Sequence, residues 1–256
     1  MRVTMLGCGP SWGVPRIGGE WGACDPGNLR NRRLRVSALV ETQDAVLLID
    51  TSPDLREQLL AANVRRLDAV LFTHAHADHL HGIDDLRSVN RLIGKALPIY
   101  AGAETLAEIT ARFGYVLTPP ADGKGAAYYK PVLEAHVIDG PFEAAGVTVR
   151  PFQQDHGFSK TLGFRIGNFA YSTDVIELDE AAFAALAGIE VWIVDCIRRE
   201  RHLTHSHLMR TLGWIHRVKP RRAVLTHMDE SLDYETLRRD LPKGVEPGYD
   251  GLVLDL

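Results

Sequence analysis

The run His74-Ala75-His76-Ala77-Asp78-His79 constrains this chain more than any other stretch, because four of its six side chains are metal-ligand types separated only by alanine. It directly follows Ala69-Val70-Leu71-Phe72-Thr73, an apolar segment of the length of a buried strand. A strand ending in imidazoles and a carboxylate delivers them to the rim of a rigid sheet. Mixed nitrogen and oxygen donors suit zinc, manganese or iron better than calcium or magnesium, which prefer all-oxygen shells. The alternative reading of the run is a solvated polar loop.

Composition narrows the rest. The 256 residues suffice for one α/β domain over residues 1–256. A net charge of −4 provides no global basic field, so strong nucleic-acid binding is not expected. The local exception is Arg30-Asn31-Arg32-Arg33-Leu34-Arg35, read here as a solvated surface stretch, with phosphate steering as the alternative. Cys8, Cys24 and Cys196 are odd in number and far apart, which fits unpaired thiols in a reducing cytoplasm. The N-terminal apolar residues give way to Gly7 too soon for a signal-peptide core, and no stretch approaches a membrane span. The expected location is cytoplasmic.

Apolar runs predict strands at Val3–Leu6, Ser37–Glu41, Ala45–Ile49, Ala69–Thr73 and Leu97–Ala101 in the first half. In the second they fall at Val147–Phe152, Gly163–Ile166, Phe169–Thr173, Val191–Asp195 and Ala223–Thr226. A helix should begin at Ser52-Pro53, with Ser as cap and Pro in the first turn. Others fit Gly82–Ile93, Ala103–Phe113, Asp179–Ala187, Ser206–Val218 and Leu232–Leu241. Two runs of strands, each followed by helices, predict two sheets packed together with helices outside. Tyr115–Pro131, rich in Pro, Gly and Tyr, reads as a candidate lid.

One hexapeptide cannot close two metal sites, so further ligands are expected at other strand ends. His156, Asp174 and His227 each follow an apolar run. Singly, each is an ordinary cap or turn residue; together with the hexapeptide they complete a site. The order His-x-His-x-Asp-His, His, Asp, His resembles the metallo-β-lactamase fold. That resemblance implies an αββα sandwich, with two mixed β-sheets face to face and two divalent ions at the rim. It also implies that His74, His76 and His156 hold one ion, that Asp78, His79 and His227 hold the other, and that Asp174 bridges them.

A more specific resemblance covers almost the whole chain, to the phosphoribosyl 1,2-cyclic phosphate phosphodiesterase branch. It rests on Gly7-Cys8-Gly9 with Gly13-Val14-Pro15, Leu48-Ile49-Asp50, Leu71–Gly82 with Leu86-Arg87, Val194-Asp195-Cys196, Leu225-Thr226-His227 and the segment Leu241–Gly251. Members of this branch often carry Cys-x-Cys-x-x-Cys and a closing His that bind a structural zinc. Here those positions read Gly19, Trp21, Cys24 and Glu230, so no structural zinc is expected.

Two divalent ions (zinc or manganese, with iron as an alternative) bridged by Asp174 can share a water and lower its pKa, giving a hydroxide that attacks phosphorus. The departing sugar oxygen still needs a proton, which a histidine can supply. By the resemblance that acid is His205, with His202 as runner-up, and Asp78 joins it in the catalytic set as well as the ligand set. Asp50 either holds a metal-bound His or makes a turn. His81 is expected beside the ligands or solvated, His207 on a helix surface, and His136 and His216 structural or exposed. The expected partner is a small phosphodiester, such as a cyclic ribose phosphate; a homodimer stays open. The rivals are an RNA 3′-end processing endonuclease of the same fold and a non-catalytic metal-fold carrier.

Overall fold

The period-two pattern of the strands decides how this chain layers. Along the strands of the first half, Leu39, Leu48 and Val70 pack in one apolar cluster with Leu55, Leu86 and Ile109 of the neighbouring helices. Their immediate neighbours Val40, Leu47 and Leu71 lie in a second cluster with Phe164, Phe169 and Trp192 of the other half. Adjacent residues point to opposite faces of a strand, so a sheet covered on both sides reads as a continuous apolar run. The layers are therefore helix, sheet, sheet, helix, as the sequence predicts.

The structure is a computed structural model and describes residues 1–119 and 129–256. The first half supplies β1 (Arg2–Gly7), β2 (Ser37–Glu41), β3 (Val46–Ile49), α1 (Leu55–Ala61), β4 (Ala69–Leu71), α2 (Ala77–Leu80), α3 (Leu86–Ile93), β5 (Leu97–Ala101), α4 (Ala103–Phe113) and β6 (Leu133–Val137). The second supplies β7 (Phe142–Ala144), β8 (Val147–Asp155), β9 (Lys160–Ile166), β10 (Phe169–Ser172), α5 (Glu180–Leu186), β11 (Val191–Asp195), α6 (Leu208–Val218), β12 (Arg222–Thr226), α7 (Tyr234–Asp240) and β13 (Val245–Pro247). A last strand, β14 (Val253–Asp255), returns to pair with β1.

Among the described residues each sheet has seven strands, ordered β14-β1-β2-β3-β4-β5-β6 and β13-β12-β11-β10-β9-β8-β7. Both change character at one strand. Neighbours are antiparallel up to β3 and parallel from β3 to β6. The second sheet is antiparallel from β7 to β10 and parallel from β10 to β13. The carboxyl ends of the parallel strands β3, β4, β10, β11 and β12 are where open α/β sheets place their ligands.

Several elements differ from the sequence expectations. Helix α1 starts at Leu55, not at Ser52-Pro53. Ser52 Oγ accepts from Asp54 N at 3.1 Å and donates to Gln58 Oε1 at 2.9 Å, while Thr51 donates to the carbonyls of His79 (2.7 Å) and Leu80 (3.0 Å). That segment is bent around α2 and is not free to open a helix. Gly82–Ile93 splits into a 3-10 turn (Ile83–Asp85) and α3, because the chain at Gly82 passes so close that a Cβ there would sit 1.9 Å from Ser52 O. The edge strands β6, β7, β13 and β14 have no individual sequence signal; most are three residues long and exist through pairing.

The arginine run is only partly a surface stretch. Arg33 is 1% exposed and donates to the carbonyls of Met228, Asp229 and Leu232 and to Asn31 Oδ1. Arg30 lies over the rings of Tyr234 and Tyr249 at 4.9 and 4.7 Å, and Arg35 pairs with Asp54 at 3.0 Å. Arg30 and Arg33 tie the N-terminal loop to the segment after β12, and Arg35 ties it to the chain before α1. Of the candidate lid, Tyr115 is anchored through its hydroxyl to Asp84, 2.7 Å from each carboxylate oxygen. Residues 120–128 of that expectation lie outside the described residues.

Candidate metal centre

Five strand ends converge. Asp50 follows β3, Thr73 and His74 follow β4, Asp174 follows β10, Asp195 closes β11, and His227 follows β12. His156 follows β8 in the same rim. Asp50, Asp174 and His227 take φ of 62°, 53° and 59°. Left-handed backbone at a non-glycine residue costs about 1–3 kcal/mol, and here it turns each side chain inward over the sheet edge.

The hexapeptide divides its ligands by its own backbone. His74 and His76 lie in extended chain two residues apart and so share a side. His76 then caps α2, a single turn that swings Asp78 and His79 elsewhere. A lone turn is unstable in isolation; the bonds from Thr51 to the His79 and Leu80 carbonyls hold it.

Two donor sets result. In one, His74, His76, His156 and Asp174 offer ligand atoms all within 4.8 Å of one another; in the other, Asp78, His79, Asp174 and His227 do. Asp174 faces both. Its Oδ2 lies 3.6 Å from Nε2 of His74 and 3.6 Å from Nε2 of His156, and its Oδ1 lies 3.1 Å from His79 Nε2 and 3.4 Å from His227 Nε2. Asp78 Oδ2 is 3.4 Å from His79 Nε2 and 3.5 Å from His227 Nε2. Two donors, each about 2.1 Å from a shared tetrahedral ion, stand about 3.4 Å apart. The spacing fits that geometry.

The far nitrogens of three of the rings are already occupied, whereas Nδ1 of His227 is buried without a partner. His79 Nδ1 meets Asp50 Oδ2 at 2.7 Å, His156 Nδ1 meets the Thr204 carbonyl at 2.7 Å, and His74 Nδ1 meets Thr73 Oγ1 at 3.0 Å. Thr73 in turn donates its hydroxyl and its N–H to Asp50, at 2.7 and 2.8 Å. With Nδ1 carrying the proton, each Nε2 presents a lone pair to the centre. Nε2 of His74, His79 and His227 is buried without a hydrogen-bond partner. Buried nitrogens aimed together at carboxylates, with nothing to bond, are the donor set of a cation, and these residues fit two divalent ions.

Electrostatics agree. Burial opposes a charged His79, yet Asp174, Asp78 and Asp50 outweigh it and hold its pKa well above the ordinary value. Burial likewise opposes a charged His227, but Asp174 and the bond to Asp78 bring it up to about 9. Burial would raise Asp174 and Asp78; their histidine neighbours hold both well below the usual carboxylate range. At His74 and His156, burial together with neighbouring imidazoles outweighs Asp174 and lowers both. The carboxylates thus collect positive charge at the place where ions would sit.

His205 joins this centre from the other side. It is buried, its Nδ1 lies 3.1 Å from Asp195 Oδ2, its Nε2 lies 3.8 Å from Asp174 Oδ2, and its ring stacks on His227 at 4.5 Å. His202 packs on His205 at 5.1 Å, and both line a cleft of 440 Å³ together with His76, Asp78, His156, Asp174 and His227. Burial, with His205 and Arg198 nearby, pushes His202 down to about 4. His81 is exposed, as are His136 and His216, and His207 caps α6. Arg87 is exposed and donates to the Tyr129 carbonyl at 3.0 Å, away from the cleft lining.

Sequence reading assigned no role to Thr73, Asp195 or Thr204. Asp195 carried a usable signal, since it ends an apolar strand as Asp174 nearly does; the Thr204 carbonyl carried none. At the positions where the resembling branch keeps its zinc ligands, the structure has a polar clasp. Trp12 Nε1 donates to Glu230 Oε2 at 2.9 Å, Arg16 pairs with the same carboxylate, and Cys24 Sγ approaches the Leu232 carbonyl at 3.6 Å.

Residues 46–228 match the family described as "Beta-lactamase superfamily domain". A solved structure described as a new diphosphatase from the PhnP family is 33% identical, with a TM-score of 0.90, and the match covers 100% of this chain and 97% of that one. A protein of Porphyromonas gingivalis named octanoyltransferase is 34% identical over 259 residues, 98% of this chain and 51% of that protein. A ribonuclease Z of Bradyrhizobium diazoefficiens is 34% identical over 130 residues, 49% of this chain and 42% of that protein. The chain spans about half the length of the curated relatives it matches. Among the described residues no helix is long and apolar enough to cross a membrane. With two seven-stranded sheets, the flanking helices and the clustered donors, the chain belongs to the beta-lactamase superfamily and has the metallo-β-lactamase fold.

Proposed function

We propose that this protein is a metal-dependent hydrolase, a two-metal phosphodiesterase acting on a small diester, with a cyclic ribose phosphate as the candidate substrate. His74, His76 and His156 would hold one ion, Asp78, His79 and His227 the other, and Asp174 both. Bound there, zinc or manganese (iron is the alternative) supplies Lewis-acid neutralisation of phosphoryl charge and acidifies water.

The observation that carries the reading is His205. A hydrolase acting on an activated acyl or aryl bond has little need of an acid, whereas a sugar alkoxide must be protonated as it leaves. His205 sits beside the donor sets with Nε2 facing the cleft centre and Nδ1 directed at Asp195. Asp195 fixes the ring orientation; Nε2 delivers the proton to the leaving oxygen and then recovers it. His202, held near 4, is neutral at working pH and has no proton to give.

A small substrate is favoured over RNA because no Lys or Arg lines the cleft among the described residues, and tracking a nucleic-acid backbone relies on such cations. Three unpaired cysteines suit a cytoplasmic setting.

Purified protein should carry close to two ions per chain and cleave an aryl phosphodiester, and Asp174→Ala should lose both properties. Full loading without diesterase activity under any divalent ion favours the carrier reading. His205→Ala should slow ribose diesters about 10²–10⁴-fold, and aryl diesters far less. Equal losses on both remove His205 from the acid role.

A further inference from the structure

Trp12 lines the metal cleft, half-buried, and has no part in holding the ions. Its backbone is fixed locally. Gly13 N donates to Pro10 O at 2.8 Å and Gly13 takes φ of 70°, which closes a tight turn over residues 10–13. The next residue, Val14, exchanges two backbone hydrogen bonds with Arg33, each at 2.9 Å. Ser11 and Trp12 therefore sit at the tip of an anchored turn, and both line the cleft. An anchored backbone does not fix a side chain. Trp12 belongs to neither apolar cluster, so core packing does not choose its rotamer.

Glu230 supplies what packing does not. Its Oε2 accepts the indole N–H at 2.9 Å, and its Oε1 pairs with the guanidinium of Arg16. That guanidinium lies over the indole, 4.5 Å from the ring centroid, in the wall of the cleft. Arg16 Nε is buried without a hydrogen-bond acceptor, so the face of the indole is what stands against it. One carboxylate thus holds the ring at its edge directly and at its face through Arg16. Glu230 balances the charge of Arg16, whose contribution here is to hold the ring.

Glu230 is itself tightly placed. Its side chain is 15% exposed and its carbonyl accepts from Ala23 N at 2.9 Å. A Cβ at Gly22 would meet Glu230 Cγ at 2.6 Å, so the chain there closes directly onto it. Glu230 also follows His227 by three residues, in the segment whose carbonyls Arg33 gathers. The wall of the cleft is therefore referenced to a metal ligand through three residues of pinned chain.

We infer that Glu230 is a positioning residue of the metal cleft, acting through Trp12: it fixes the indole as the wall that confines the bound ester beside the ions. The inference rests on the phosphodiesterase reading for the ester, and not for the clasp.

The test uses the metal-loaded protein. Metal content is measured together with kcat and KM for bis(p-nitrophenyl) phosphate. Acrylamide quenching reports on Trp12, as the difference between each protein and its Trp12→Phe counterpart. Glu230→Ala should keep its ions and its kcat, raise KM about three- to tenfold, and open Trp12 to the quencher. Glu230→Gln, which still accepts the indole N–H, should recover most of the KM. Trp12→Ala should raise KM as Glu230→Ala does, and combining the two should add nothing, since both remove one wall. Additive effects, or a lost ion or lowered kcat with unchanged KM in Glu230→Ala, overturn the positioning role. Should Glu230→Ala not fold, Trp12→Phe stands in: the ring stays and only its bond to Glu230 goes, and an unchanged KM again overturns the role. If no diester is cleaved, calorimetric affinity for the same ester replaces KM. An affinity that depends on Glu230 then leaves the positioning role standing while the phosphodiesterase reading fails; an unchanged affinity overturns both.

Discussion

Asp50→Asn is the sharpest probe of how this centre is built. Asp50 is fully buried and accepts three hydrogen bonds: from His79 Nδ1 at 2.7 Å, from Thr73 Oγ1 at 2.7 Å and from Thr73 N at 2.8 Å. Asn has the same shape and tolerates left-handed backbone, so the φ of 62° adds no new strain. What changes is the direction of the bonds. With the amide oxygen toward Thr73 N, the NH₂ group faces His79 Nδ1, which can accept only if its proton moves to Nε2. That is the atom directed at Asp78 and Asp174, and a protonated Nε2 cannot ligate. With the amide reversed, the NH₂ group confronts the Thr73 N–H, leaving a buried donor unpaired at about 1–3 kcal/mol. The expected result is a 10–100-fold loss of affinity for the ion held by His79, with a metal-free destabilisation of about 1–3 kcal/mol, a few degrees in Tm for a chain this long. Competition with a chromophoric chelator measures the first, and melts in excess chelator the second. Unchanged metal affinity beside a lowered Tm refutes the tautomer argument and leaves Asp50 as a turn residue. Wild-type values in both refute any role.

Two further outcomes follow from the same contacts. The His227 pKa rises from 6.5 to about 9 on folding without metal, so its contribution to stability is complete below pH 6.5 and disappears as pH rises to 9. Chelator-treated protein should therefore lose denaturant stability across that window, and a flat profile contradicts the assigned ion pairing. Arg33→Met keeps an unbranched stem but loses the guanidinium, which strips donors from the carbonyls of Met228, Asp229 and Leu232. It should cost about 2–5 kcal/mol and weaken metal binding at adjacent His227, by melts and chelator competition; a loss under about 0.5 kcal/mol would return the arginine run to the surface.

Much of this architecture was legible because each strand is a short apolar run and each candidate ligand sits directly after one. Leu97–Ala101, Ala103–Phe113 and Val191–Asp195 emerge with the predicted bounds, since hydrophobic period and flanking Gly or Asp punctuate them locally. The start of α1 and the break after Gly82 were not legible, because Thr51 and Ser52 answer to α2, a partner 25 or more residues away in the chain. Arg33 misleads for the same reason: its acceptors lie near residue 230.

By itself, then, the sequence determined donor chemistry and layer order, since residue type and period-two alternation are local properties. Only the tertiary structure decided which oxygen of Asp174 faces which histidines, that Asp195 holds His205, and that Glu230 holds Trp12 at the cleft. Those facts depend on where separate strands end relative to one another, and that register is set by packing two sheets across a shared core.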